Sequence, residues 1–361
     1  MNWYYKTKLK RIMRFIKRSI PAWINRVLYA RKSLDLFEIP KNGYRSITGI
    51  WEYQNENAYY GTGDVLRKYS GFVGSIPCTI EHGVYFGKGG TIELEKFNMP
   101  AVITFGEYRR KSLRTNTDRP IFEIGPYIQY AEPMRGLVEI KKQIGKTLLV
   151  FPTHSVEKND VDYEIDLFVN FINQIKADTK ADTVLVSLYF KDLQKYQPIY
   201  EKYGYTVVCA GYRTNKDFLS RQRSFIELSD YVITNGLGTH IGYAVTLKKP
   251  VSFFDQEVSL SYESEAVRVA VAPFAQQDEF QNNLMTIKKA FAGFQNIIND
   301  EQKEIVRLYW GYGIKLSPYE MYSILEKSAE ILKMTKKMGT DYRKLFRLSC
   351  TKEFVKQFVE R

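Results

Sequence analysis

Between Lys146 and Phe254, short apolar runs alternate with segments of helical periodicity, and this rhythm restricts the fold more than any other feature of the chain. TLLVF at 147–151 reads as a strand closed by Pro152, and Ile165, Phe168, Val169, Ile172 and Ile175 then give one helical face. Strands are predicted at 183–188, 206–209, 231–233 and 251–254, with helices at 192–203, 216–228 and 239–247 between them. Strand–helix alternation with short connections predicts a parallel, doubly wound sheet. Upstream, the runs 76–80, 101–105 and 121–124 each lead into a glycine-containing turn and read as the later part of another α/β domain, after a helical stretch at 45–70. Residues 280–361 read as mostly helical. The expectation is two α/β domains facing each other across a cleft.

A length of 361 residues allows two hydrophobic cores. Three cysteines, Cys78, Cys209 and Cys350, lie far apart without CxxC spacing, which argues against a disulfide framework or a zinc site and suits a reducing compartment. The net charge of +13 suggests nucleic acid until it is located. Residues 1–32 hold ten Lys or Arg and no acid, leaving 43 basic against 40 acidic side chains in the rest. The body is nearly neutral, and the charge belongs to an N-terminal arm.

In that arm Leu9, Ile12, Met13, Ile16 and Ile20 form one apolar stripe, with Lys10, Arg11, Arg14 and Arg18 on the far side and Trp3, Tyr4 and Tyr5 at the start. Pro21 breaks the helix. A basic amphipathic helix with interfacial aromatics suits an anionic membrane surface, here the inner face of the cell membrane. The same pattern also fits a helix packed on the protein's own body. No clean apolar core with a cleavage site follows, and no apolar run is long enough to span a bilayer. The expected organisation is an arm at 1–32, one α/β domain at 33–140, a second α/β domain at 141–275 and a helical segment at 276–361.

The three histidines are not scattered. His82 (IEHG), His154 (FPTHS) and His240 (ITNGLGTH) each follow a predicted strand, where open α/β sheets bind ligands. In the last stretch Gly236 and Gly238 let the backbone approach a ligand, Thr239 offers an N-cap or first-turn hydroxyl, and the helix start makes an anion site. His240 adds a donor that can become cationic. His154 and Ser155, at the first strand end of the same sheet, could contact the same anion or its ribose. Glu81 and His82 are two candidates for a general base across the cleft. Arg109, Arg110 and Arg213 are candidate cleft cations, with Arg213 placed among the residues that bind the anionic ligand. No metal site is expected, because HExxH, DxD and paired-His spacings are missing, as are a GxSxG elbow, a Walker A loop and a GxGxxG fingerprint.

These residues resemble a known family. IEHGVYFGK, AVITFGEYRRKSL and FEIGPY are similar to the N-domain of GT-B glycosyltransferases that build bacterial surface polymers. FPTHS with SDYVITNGLGTHIGYAVTLKKPVSFFD resembles their donor-binding C-domain. The pattern is similar to that of the CDP-glycerol glycerophosphotransferase-like and capsular polysaccharide transferase group, with its WHG motif and its SDxxITDYSSxxFDYAxxxKPxxF motif. The likeness covers residues 75–255, and YWGYGIKLSPYEM resembles the C-terminal region. It implies a GT-B-like pair of doubly wound Rossmann-like domains. It also implies that His82, with or without Glu81, serves an acceptor hydroxyl, while His154, Asn235, Gly238, Thr239 and His240 hold the donor's phosphates. Here EHG replaces WHG, and Gly236-Leu237 or Gly238-Thr239, depending on alignment, replaces the Ser-Ser pair. The donor therefore stays open among CMP-, CDP-, UDP- and dTDP-linked groups. The paired-glutamate pattern of many retaining members is missing, which favours an inverting mechanism, and the missing DxD fits a metal-independent transfer without a cofactor. A polysaccharide pyruvyl transferase and a non-catalytic glycan- or membrane-binding scaffold are the alternatives.

Overall fold

The computed structural model describes residues 36–39, 52–88, 99–156, 159–265, 268 and 276–338. The arm at 1–32 and the tail at 339–361 lie outside the described residues. The first strands are β1 (Thr79–Ile80), β2 (Val102–Thr104) and β3 (Ile121–Glu123), preceded by helix α1 (Thr62–Ser70), with α2 (Glu107–Arg114) between β2 and β3. They form a parallel sheet in the order β1-β2-β3, which among the described residues winds one way only. The helix expected at 45–70 is interrupted. A 3₁₀ segment (Asn55–Gly61) precedes α1, and Tyr60 takes a left-handed conformation at φ 58°, ψ 15°.

After α3 (Leu137–Ile144) come β4 (Thr147–Phe151), β5 (Asn159–Tyr163), α4 (Ile165–Thr179), β6 (Thr183–Ser187), α5 (Leu193–Lys202), β7 (Thr206–Val208), α6 (Phe218–Leu228), β8 (Tyr231–Thr234), α7 (Thr239–Thr246), β9 (Val251–Phe253) and β10 (Val258–Tyr262). Five of these strands form one parallel sheet in the order β7-β6-β4-β8-β9. The chain starts at β4, winds outward through β6 and β7, then returns to the other side of β4 with β8. This is the expected doubly wound sheet. β5 and β10 form a separate antiparallel pair that the strand–helix rhythm does not predict. NDVDY at β5 alternates polar and apolar residues, as an edge pair with one wet face does.

Burial of β4 on both faces accounts for its continuous apolar sequence. Leu148 and Val150 point to a core with Phe168, Val169 and Ile172 of α4. Leu149 and Phe151, on the other face, join a cluster that runs on into the first unit through Ile103, Phe105 and Tyr127.

Three helices follow: α8 (Asp278–Phe291), α9 (Asp300–Trp310) and α10 (Pro318–Met338). A capping box between Asn299 and Gln302 starts α9, and Gly311 at φ 74° ends it. The last two helices return to the first unit. Phe86 and Tyr108 pack on Tyr309 and Trp310, Tyr69 Oη donates to Leu316 O at 2.7 Å, and Cys78 Sγ lies 3.3 Å from Ser328 Oγ. Trp310 also fills a notch on α7 at Gly242, where a Cβ would lie 2.2 Å from its Cγ. Cys78 and Cys209 are buried free thiols. Among the described residues no helix is long and apolar enough to cross a membrane.

Candidate functional site

Strand order reverses between β4 and β8, so their carboxyl-end loops diverge and leave a crevice between them. Thr153 N donates to Asn235 Oδ1 at 2.7 Å, tying the loop after β4 to the loop after β8. Gly236 packs on Thr153 so closely that a Cβ would lie 2.9 Å from the threonine Cβ. Here glycine is required for close approach. Thr234 Oγ1 accepts from Gly236 N at 3.1 Å and donates to Gly236 O at 2.8 Å. With that proton committed, His240 Nε2–H is the donor in its 2.9 Å contact with Thr234 Oγ1.

His240 stacks on Phe151 at 4.9 Å between ring centroids. Burial first, then the nearby His154, push its pKa down to about 3. The expectation that His240 turns cationic is therefore corrected: near neutral pH it is a neutral, oriented hydrogen-bonding group. His154 is exposed, its Nδ1 lies 3.0 Å from Ser155 O, and its ring leans on Tyr189 at 5.2 Å. Ser155 turns away from the crevice. Its N–H donates to Asp192 Oδ2 at 2.9 Å and its Oγ accepts from Val161 N at 3.0 Å, so it fixes the loop instead of meeting a ligand.

The first unit supplies the opposite wall. Asn57, fully buried, donates to Cys78 O at 2.8 Å and accepts from Ile80 N at 3.0 Å, holding the short β1 in place. The chain then turns at Gly83 (φ +90°) and presents His82 to the cleft. Glu81 does not share that position. Its carboxylate is buried on Arg109, which donates from Nε at 3.2 Å and from Nη2, and it accepts from Thr104 Oγ1 at 2.6 Å. Of the two base candidates only His82 lines the cleft. Arg109 is committed to that pair and Arg110 to Glu123, so neither lines the cleft.

Thr239 spans the two walls. Its hydroxyl accepts from Val84 N at 3.2 Å and does not cap its own helix; Gly238, extended at φ −169°, is the N-cap residue. The cleft so formed has a volume of about 330 Å³. It brings together His82, His154, Gly236, Gly238, Thr239 and His240 from the sequence expectation. Asn235 lies just beneath, buried in the loop tie, and Arg213 sits behind the His82 wall with its guanidinium 4.4 Å from the Tyr59 ring.

Sequence reasoning missed the aromatic lining: Tyr60, Tyr127, Tyr189, Phe218 and Tyr243. An aromatic residue at a strand end or in a helix start carries the same signal as a core residue, so the pattern could not single these out. Among the described residues no group of three or more His, Cys, Asp or Glu is placed to hold a metal ion.

No family model and no curated protein matches the chain. Solved structures similar to it include the wall teichoic acid polymerase TagF, 15% identical over 74% of this chain and 67% of that one, with a TM-score of 0.37. A variant of that polymerase is 16% identical over 70% and 65% of the two chains, with a TM-score of 0.39. The pneumococcal O-GlcNAc transferase GtfA, in complex with UDP and GlcNAc, is 13% identical over 72% and 51%, with a TM-score of 0.30. The chain spans about half to two thirds of the length of the structures it matches.

Proposed function

We propose that the protein is a metal-independent, inverting transferase that moves a sugar or a polyol phosphate from a nucleotide-activated donor to a growing cell-surface or capsular polysaccharide. One observation carries this reading. His82 from one α/β unit faces the crevice between β4 and β8 of the other, where His154, Gly236, Gly238, Thr239 and His240 converge. The motif resemblance of residues 75–255 to surface-polymer transferases supports the same reading.

In the proposed reaction His82 takes the proton of the acceptor hydroxyl as its oxygen bonds to the donor's reacting carbon or phosphorus. The bond to the leaving phosphate breaks, and the phosphate keeps the electron pair. Backbone N–H groups at the start of α7, the helix dipole and the neutral His240 face the developing negative charge. Residues 1–32 would hold the enzyme at the inner face of the membrane, where lipid-linked acceptors reside. Glu81, locked on Arg109, supports the loop and takes no proton.

A thermal-shift screen with CMP, CDP, UDP, GDP, dTDP and phosphoenolpyruvate tests the reading. The expected result is a selective shift with one nucleotide, lost in His240→Ala and kept in His82→Ala, with turnover abolished in the latter. A shift with phosphoenolpyruvate alone would point to a pyruvyl transferase, and no shift at all to a non-catalytic scaffold.

A further inference from the structure

His82 belongs to the first unit, yet its surroundings are fastened to the second. The Tyr59 ring meets the imidazole edge-on, with centroids 5.0 Å apart and planes at 81°. On the ring of Tyr59 lies the guanidinium of Arg213, 4.4 Å from the centroid, in the loop after β7. The same arginine holds the neighbouring backbone, because Tyr60 N donates to Arg213 O at 2.5 Å. Tyr60 then packs on Phe218, at the start of α6, with centroids 4.9 Å apart.

The backbone here is bent to make this fit. Tyr60 at φ 58° and Gly61 at φ 71° are consecutive left-handed residues. For a bulky non-glycine residue that conformation is unfavourable and persists only where its surroundings enforce it. A Cβ on Gly61 would lie 2.1 Å from Lys216 O, so the bend is seated directly on the loop 212–216. Cation–π contact, backbone hydrogen bond, aromatic packing and glycine seat join one short segment of the first unit to the loop after β7 and the start of α6 in the second.

We propose that Tyr59 and Arg213 are positioning residues for His82, so that the imidazole takes its working orientation only while the loop after β7 is docked on residues 59–61. The donor-side unit thereby sets the acceptor-side base, and proton abstraction is tied to closure of the two units. Arg213 acts through the Tyr59 ring and not as a donor-phosphate ligand. The inference rests on the reading of His82 as the base, but its physical part can be tested without turnover.

Three histidines in the chain make the test direct. Full-length protein with isotope-labelled histidine is examined by NMR, with His82→Gln assigning the His82 ring resonance. Tyr59→Ala and Arg213→Met should each displace that resonance and leave those of His154 and His240 in place, while Tyr59→Phe, which keeps the ring, should restore it. An unmoved His82 resonance in Arg213→Met overturns the proposal, and this variant decides alone if Tyr59→Ala does not fold. With the donor selected by the nucleotide screen, Tyr59→Ala should lower kcat by about 100-fold, the scale of an ångström-level misplacement, with donor KM unchanged. A raised donor KM at unchanged kcat in Arg213→Met would return Arg213 to donor binding and overturn the positioning role. If no donor supports turnover while the resonance moves as stated, the reading of function fails and the positioning stands.

Discussion

His240 shows how one buried ring can be read from outside. Its pKa, about 3 in the folded chain, lies below the usual histidine value near 6.5. Between those values the unfolded chain binds a proton that the folded one does not, so stability falls as pH drops from about 6.5 toward 3. The slope from this group approaches about 1.4 kcal/mol per pH unit. His240→Asn should flatten the fall in urea-unfolding stability over that window. Glu81 makes the contrasting point about legibility. EHG offers a carboxylate and an imidazole side by side, and only the fold separates them. The long-range partner Arg109 takes the carboxylate into the core, and nothing at positions 80–83 signals that pairing.

At the level of elements, the loop after β8 is set by its glycine. Gly236→Ala must displace Thr153 and break the tie between Thr153 N and Asn235 Oδ1. The expected cost is about 1–3 kcal/mol in chemical denaturation, with nucleotide affinity lowered well beyond what the stability loss alone removes. The strand–helix rhythm of the five-stranded sheet was legible, because buried parallel strands need unbroken apolar runs and the helices between them need a face, whereas the half-polar β5 inside the same stretch was not. Nor was the spatial order of the sheet's strands. Nothing in TLLVF or YVIT says that β4 and β8 lie side by side with β6 and β7 beyond, yet that adjacency creates the crevice. The interrupted helix at Tyr60 was equally hidden. Its conformation comes from the loop it docks on, not from its own residues.

At the level of the molecule, α9 binds the two units together. Trp310 is fully buried, packed on Phe86 from the first unit and seated on Gly242 of α7 in the second. Gly242→Ala would drive a methyl group into the indole and should lower unfolding stability by about 1–3 kcal/mol, measured by denaturant titration. Such contacts join residues far apart in the chain, which is why a left-to-right reading of the sequence assigns 276–361 to a segment of its own.

The return of α9 and α10 to the first unit also bears on how the chain is made. The first sheet is synthesised early, but the helices that cover Phe86, Tyr108 and Cys78 come last. At about 5–20 residues per second, a ribosome takes roughly ten to forty seconds to travel from β3 to α9. During that interval the second unit, whose sheet is contiguous in sequence, can close first, and the first unit must wait with part of its core uncovered. The second unit can therefore close while the first, which carries His82, still waits for α9 and α10.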